Sequence, residues 1–82
     1  MLTKDKITEI LKQDFTPTSL EVIDESHKHA GHKGSQGGGH FILKIASPLF
    51  KDKTLVQCHQ LVYQALGELM TTEIHALQIR IL

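Results

Sequence analysis

The chain has little of what small proteins use to reinforce themselves. It has no tryptophan, three phenylalanines and one tyrosine, and a single cysteine, Cys58, among its 82 residues. One thiol forms no internal disulfide, so a secreted disulfide scaffold is excluded and a reducing compartment fits better. No apolar run approaches the roughly 20 residues needed to span a bilayer. The opening Met-Leu-Thr-Lys-Asp-Lys has no signal-peptide apolar region. The setting expected from this is a bacterial cytoplasm, or an organelle matrix in a eukaryote, with no membrane partner. An excess of either charge is also missing: nine basic residues cancel nine acidic ones. Phosphate neutralisation supplies most of a nucleic-acid binder's affinity, so this balance lends such a role no support. A chain of this length buries only about 60 to 65% of its unfolded surface, which makes one domain with a thin core.

What the chain does have is concentrated between Asp24 and Phe41. That stretch holds four of the six histidines (His27, His29, His32 and His40) and five of the six glycines. Glycine leaves the backbone unconstrained, and imidazole near neutral pH is both a base and a metal ligand. A glycine-histidine stretch between two apolar runs is a site completed by something else: another part of the fold, a metal or a partner.

The flanking segments read as regular structure. Thr3 to Phe15 is predicted helical, with Leu2, Ile7, Ile10, Leu11 and Phe15 on one stripe, Thr3 as N-cap and Asp5 in the first turn. Proline disfavours helical geometry before it, so Thr16-Pro17-Thr18 ends the helix. Leu20, Val22 and Asp24 alternate with Glu21, Ile23 and Glu25 as a half-buried strand. His40 to Ala46 is a second strand, with Phe41, Leu43 and Ile45 inward, so the two make a hairpin with a long tip. Ser47-Pro48 reads as an N-cap and first helical position for one short turn to Phe50. A longer helix is predicted from Thr54 to Met70, capped by Asp52. Leu55, Cys58, Val62, Ala65, Leu66 and Leu69 form its apolar face. Ile74 to Ile81 is the last strand, with Ile74, Ala76 and Gln78 opposed to His75, Leu77, Ile79 and Ile81. It follows a helical crossover and can therefore pair parallel to a hairpin strand. The expected fold is α/β (α+β), in the order α-β-β-α-α-β: a three-stranded mixed sheet with helices on one face. There is no repeat and no second domain.

Several stretches in this order resemble the BolA-like proteins over essentially the whole chain. They are Leu20-Glu21-Val22-Ile23-Asp24-Glu25-Ser26, His29-Ala30-Gly31-His32, His40-Phe41, Ser47-Pro48-Leu49-Phe50, His59, Val62-Tyr63-Gln64-Ala65-Leu66 and Ile74-His75-Ala76-Leu77-Gln78-Ile79. The resemblance implies a fold like class II KH domains. It also implies a monothiol glutaredoxin as partner, with a [2Fe–2S] cluster shared between the two. The glutaredoxin supplies a cysteine and a glutathione thiolate, and this side supplies histidine from His75 and from the hairpin loop. His29 best matches the loop ligand and His32 is the reserve. No cluster is expected to stay tightly bound to the isolated protein, which alone would be a monomer or weak homodimer. Some bacterial members are DNA-binding regulators of cell shape and stress response. Many carry Arg-His-Arg where this chain has Cys58-His59-Gln60, and the two missing charges count against the DNA role more than the cluster role.

Each candidate has a plainer reading beside it. A histidine opening a strand, as His75 does, is ordinarily partly buried and hydrogen-bonded; the resemblance makes it a ligand. His27-x-His29 and His29-x-x-His32 also have the spacing to chelate zinc, nickel or copper adventitiously. His27 and His40 read as solvated or structural, and Cys58, inside the apolar arc, as a small buried hydrophobe. Lys28, Lys33, Lys51 and Lys53, with His59, are candidate contacts for a partner or nucleic acid, against the reading that they are simply solvated. Imidazole ligates iron only when neutral, so cluster sharing is expected to weaken as pH falls. Glu21, Asp24 and Glu25 lie too close along one strand for a tuned acid/base pair, and no nucleophile–base–orienter set is visible. No enzymatic activity is expected.

Overall fold

The computed structural model describes residues 2–26 and 39–82. Its elements are α1 (Thr3–Phe15), β1 (Ser19–Asp24), β2 (Gly39–Ala46), a 3-10 turn (Pro48–Phe50), α2 (Leu55–Leu66), α3 (Leu69–Thr72) and β3 (Ile74–Ile81). β2 is central. β1 pairs with it antiparallel, from Ser19 opposite Ala46 to Asp24 opposite Phe41, and β3 pairs with it parallel. The expected mixed α+β architecture is what the chain adopts.

The inward strand positions Val22, Phe41, Leu43 and Ile45 form one side of the core. Ile7, Leu11 and Phe15 of α1 and Cys58, Val62 and Leu66 of α2 form the other. Spacings of three and four residues place each helical set on one stripe. The opposite sheet face carries Ile23, Ile42 and Lys44 with Ala76, Gln78 and Arg80, all exposed or half-buried.

Chain ends and breaks depart from the sequence expectation in four places. Thr3 is the first helical residue of α1, not its N-cap; Leu2 holds that position, exposed, with no side chain capping the helix. Thr3 spends its hydroxyl on a distant partner instead. Asp52 does not cap α2 but lies in the left-handed region at φ 63°. Thr54 takes the cap: its Oγ1 accepts from the Gln57 N–H at 3.1 Å, and Gln57 Oε1 accepts from the Thr54 N–H at 3.0 Å. This reciprocal box leaves Leu55 at the overhanging end, 64% exposed and outside the core. The helix also stops at Leu66, because Gly67 adopts φ 51°, a geometry that favours glycine. A separate single turn, α3, completes the span to Thr72.

The short-turn reading holds. Ser47 Oγ accepts from the Leu49 N–H and donates to the Phe15 carbonyl at 2.7 Å, tying the end of α1 to the turn. Removing the α2 cap should have a measurable but moderate cost. Thr54→Ala is expected to lose about 1 kcal/mol, lowering Tm by roughly 4–8 °C in a domain of this size; thermal denaturation by CD checks it.

Candidate functional site

The start of β3 breaks the ladder. Gly39 pairs with Ile74, but the next residue of β2, His40, pairs with Ala76, so His75 is an extra residue in β3. Such a bulge re-aims side chains. Plain alternation put Ile74 on the face of Ala76 and Gln78; the bulge instead turns Ile74 into the core, 4% exposed. It leaves His75 exposed at the sheet end. The His75 ring lies against the ring of His40, with centroids 5.0 Å apart and planes inclined by 41°. His40 is half-buried and its Nε2 is shielded from solvent.

The hairpin is cinched beside this pair. Asp24 Oδ1 accepts from the Ser26 main-chain N–H at 2.8 Å, and Ser26 Oγ accepts from the His40 main-chain N–H at 3.1 Å. The Glu25 N–H donates to the His40 carbonyl at 2.8 Å. Ser26 and Gly39, the described residues that flank segment 27–38, therefore lie next to His40. On the open sheet face lies a cleft of about 140 Å³, lined by Glu25, His40, Phe41, Ile42, Ala76 and Gln78.

Glu73 fixes the other side. Its carboxylate accepts from Lys6 Nζ and from Thr3 Oγ1, each at 2.8 Å. Lys6, then Thr3, hold this carboxyl below the usual carboxylate range. A carboxyl with a depressed folded pKa stabilises the fold above its unfolded pKa, and that contribution disappears as pH falls through the folded value. Glu73→Gln should therefore be less stable than the parent at neutral pH, and the two acid-unfolding curves should converge at low pH.

Of the residues predicted from sequence, His75 lies exposed at the sheet end beside His40. His29, His32 and His27, with Lys28 and Lys33, lie outside the described residues. Lys51 and Lys53 are exposed, and Lys53 lines a cleft with Asp14 and Phe15 at the C-terminal end of α1. His75 follows Glu73, which grips the other end of α1, a helix about 20 Å long. The structure thus separates these lysines from the imidazole pair. His59 is half-buried on α2. Cys58 is 2% exposed, with Sγ 4.0 Å from the Phe50 carbonyl, and packs as the expected small hydrophobe. His40, read from sequence as solvated or structural, is half-buried against the His75 ring. Its neighbour is set by the parallel register, which no local pattern reveals.

Among the described residues no group of three or more His, Cys, Asp or Glu side chains is gathered that could hold a metal ion. A metal group at the exposed His75 would take its remaining ligands from elsewhere, and neutral imidazole is an accepted iron ligand.

A family model described as BolA-like protein matches residues 11–82. The chain belongs to the BolA-like family. The DNA-binding transcriptional regulator BolA of Escherichia coli (strain K12) is 35% identical over 77 residues, which is 94% of this chain and 71% of that protein. SufE-like protein 1 of Arabidopsis thaliana is 40% identical over 80 residues, 90% of this chain but only 22% of that protein, so the chain spans about a fifth of that relative's length. The solved structure of BolA1 from Arabidopsis thaliana superposes with a TM-score of 0.86 at 36% identity, covering 99% of this chain and 90% of that one. These BolA-like relatives come from a bacterium and, by the name of SufE-like protein 1, from chloroplasts and mitochondria. No helix among the described residues is long and apolar enough to cross a membrane.

Proposed function

We propose that this BolA-like chain is an adaptor. It docks on a monothiol glutaredoxin and lends histidine to a [2Fe–2S] cluster the two share, in cluster trafficking or in iron and redox regulation. The observation that carries the reading is the exposed His75 imidazole, aimed by a bulge to within 5.0 Å of the His40 ring where the histidine-rich segment leaves the sheet. His75 is held by the strand before any partner arrives. Covalent geometry keeps the His29 Cα within about 11 Å of the Ser26 Cα, and His32 within about 21 Å. By the resemblance His29 is the loop donor, with His32 in reserve and His40 as the neighbour on the sheet. The partner contributes its cysteine and a glutathione thiolate. When bound, the cluster supplies one-electron redox chemistry, its potential raised where imidazole replaces thiolate.

The test is to mix the chain with cluster-loaded monothiol glutaredoxin and record gel filtration and visible CD. A heterodimer with an altered spectrum is expected. No heterodimer and an unchanged spectrum overturn the reading. A second reading, a DNA-binding regulator, is favoured by the name of the Escherichia coli relative. It requires duplex binding that persists at physiological salt with a measurable salt slope; binding that vanishes there is nonspecific attraction.

A further inference from the structure

Glu73 donates nothing to the imidazole pair, yet the geometry around His75 runs through it. α1 begins without a side-chain cap of its own, and the Asp5 and Lys6 N–H groups both fall to the Leu2 carbonyl. The positive end of a helix favours a carboxylate, and here that carboxylate comes from Glu73, about seventy residues further along the chain, gripped by Thr3 and Lys6. The main chain of Glu73 faces two other elements. Its N–H donates to the Leu69 carbonyl at 3.0 Å, closing α3, and its carbonyl accepts from the Gly39 N–H at 2.9 Å, starting the β2–β3 ladder. Ile74 then enters the core and the bulge follows. α3 is a single turn of four residues with no side-chain cap, so it holds the junction weakly by itself.

We propose that Glu73 is a positioning residue: a clasp on the side chains of the first turn of α1 that anchors the start of β3 and so fixes the bulge that turns His75 onto His40. Its functional consequence rests on the adaptor reading, but the geometric statement does not. The Lys6–Glu73 pair is half-buried, with side chains 39% and 29% accessible, and ion pairs that solvent still reaches contribute little to global stability. The main-chain bonds also survive any side-chain substitution. Loss of the clasp should therefore move the imidazoles without unfolding the domain.

The test uses the metal-free protein and reads NOESY cross peaks between the His40 and His75 ring protons. Glu73→Ala is expected to lose them while the domain stays folded. Glu73→Gln, which keeps one of the two acceptor oxygens that hold Thr3 and Lys6, is expected to retain them in part. Leu20→Ala, which destabilises the far side of the sheet, should lower Tm and leave them intact. Wild-type cross peaks in Glu73→Ala, or an equal loss in Leu20→Ala, overturn the proposal. With glutaredoxin added, Glu73→Ala should still form the heterodimer but with a weakened visible CD change. If the parent chain forms no heterodimer, the adaptor reading fails, and the cross peaks still decide the role of Glu73.

Discussion

His75→Ala is expected to abolish the altered visible CD spectrum of the glutaredoxin mixture and to leave the fold in place. The two halves of this result have different causes. His75 is exposed and belongs to no core cluster. Its removal deletes one ring contact, and surface substitutions of this kind usually change stability by about 0.5 kcal/mol or less. Functionally, it is the donor whose backbone is held by the sheet in the absence of a partner. Nothing else in the described chain presents an exposed imidazole at that place. His29→Ala should behave differently. Its stretch is glycine-rich, and fixing each backbone residue costs roughly 1–2 kcal/mol, so His29 contributes less net binding. His32 and His40 also remain to replace it. That variant should keep the heterodimer with a less stable or differently coloured cluster. NMR spectra of both variants establish folding first. A silent His29→Ala mixture beside an intact His75→Ala one would reverse the assignment.

The sequence was most legible where a single periodicity decides. Phe41, Leu43 and Ile45 alternate inward because only one face of the sheet is covered, and Ile7, Leu11 and Phe15 recur at the helical spacing. Ser47-Pro48 carried its own cap chemistry. Three things were not legible, two of them because the deciding interaction is nonlocal. Thr3 has the right identity for an N-cap, but Glu73 claims its hydroxyl across the fold. The long helical pattern continues past Leu66, but Gly67 turns the backbone to positive φ, and the pattern cannot register that. Above all, Ile74 and His75 follow a phase that holds for the rest of the strand and fails at the bulge. The resemblance singled out His75, and the structure places it exposed at the bulge. What pairs with it, His40, came only from the register of a parallel crossover. His29 and His32 lie outside the described residues and are known by sequence alone.

Gly39→Ala is the substitution expected to harm the fold most through the site itself. Two effects oppose each other. Alanine in an extended strand restricts the unfolded chain and ordinarily stabilises by about 0.4–1 kcal/mol. At Gly39, however, an added Cβ runs into the Phe41 ring, with Cζ at 2.7 Å, and meets Ser26 Oγ at 3.0 Å. Phe41 is 4% exposed and packed in the core, so its ring cannot swing into solvent. Overpacking of this sort costs about 1–3 kcal/mol, which outweighs the entropic gain, so Tm should fall by several degrees. The damage should also be local. Ser26 Oγ accepts from the His40 main-chain N–H, and pushing it away loosens the pin that sets His40 beside His75. Thermal denaturation should therefore show a lower Tm, and the His40–His75 cross peaks should weaken together with the cluster signal. A Tm equal to or above the parent's would mean that the Phe41 ring has room to retreat. The closure of the hairpin over the imidazole pair would then be looser than these contacts imply.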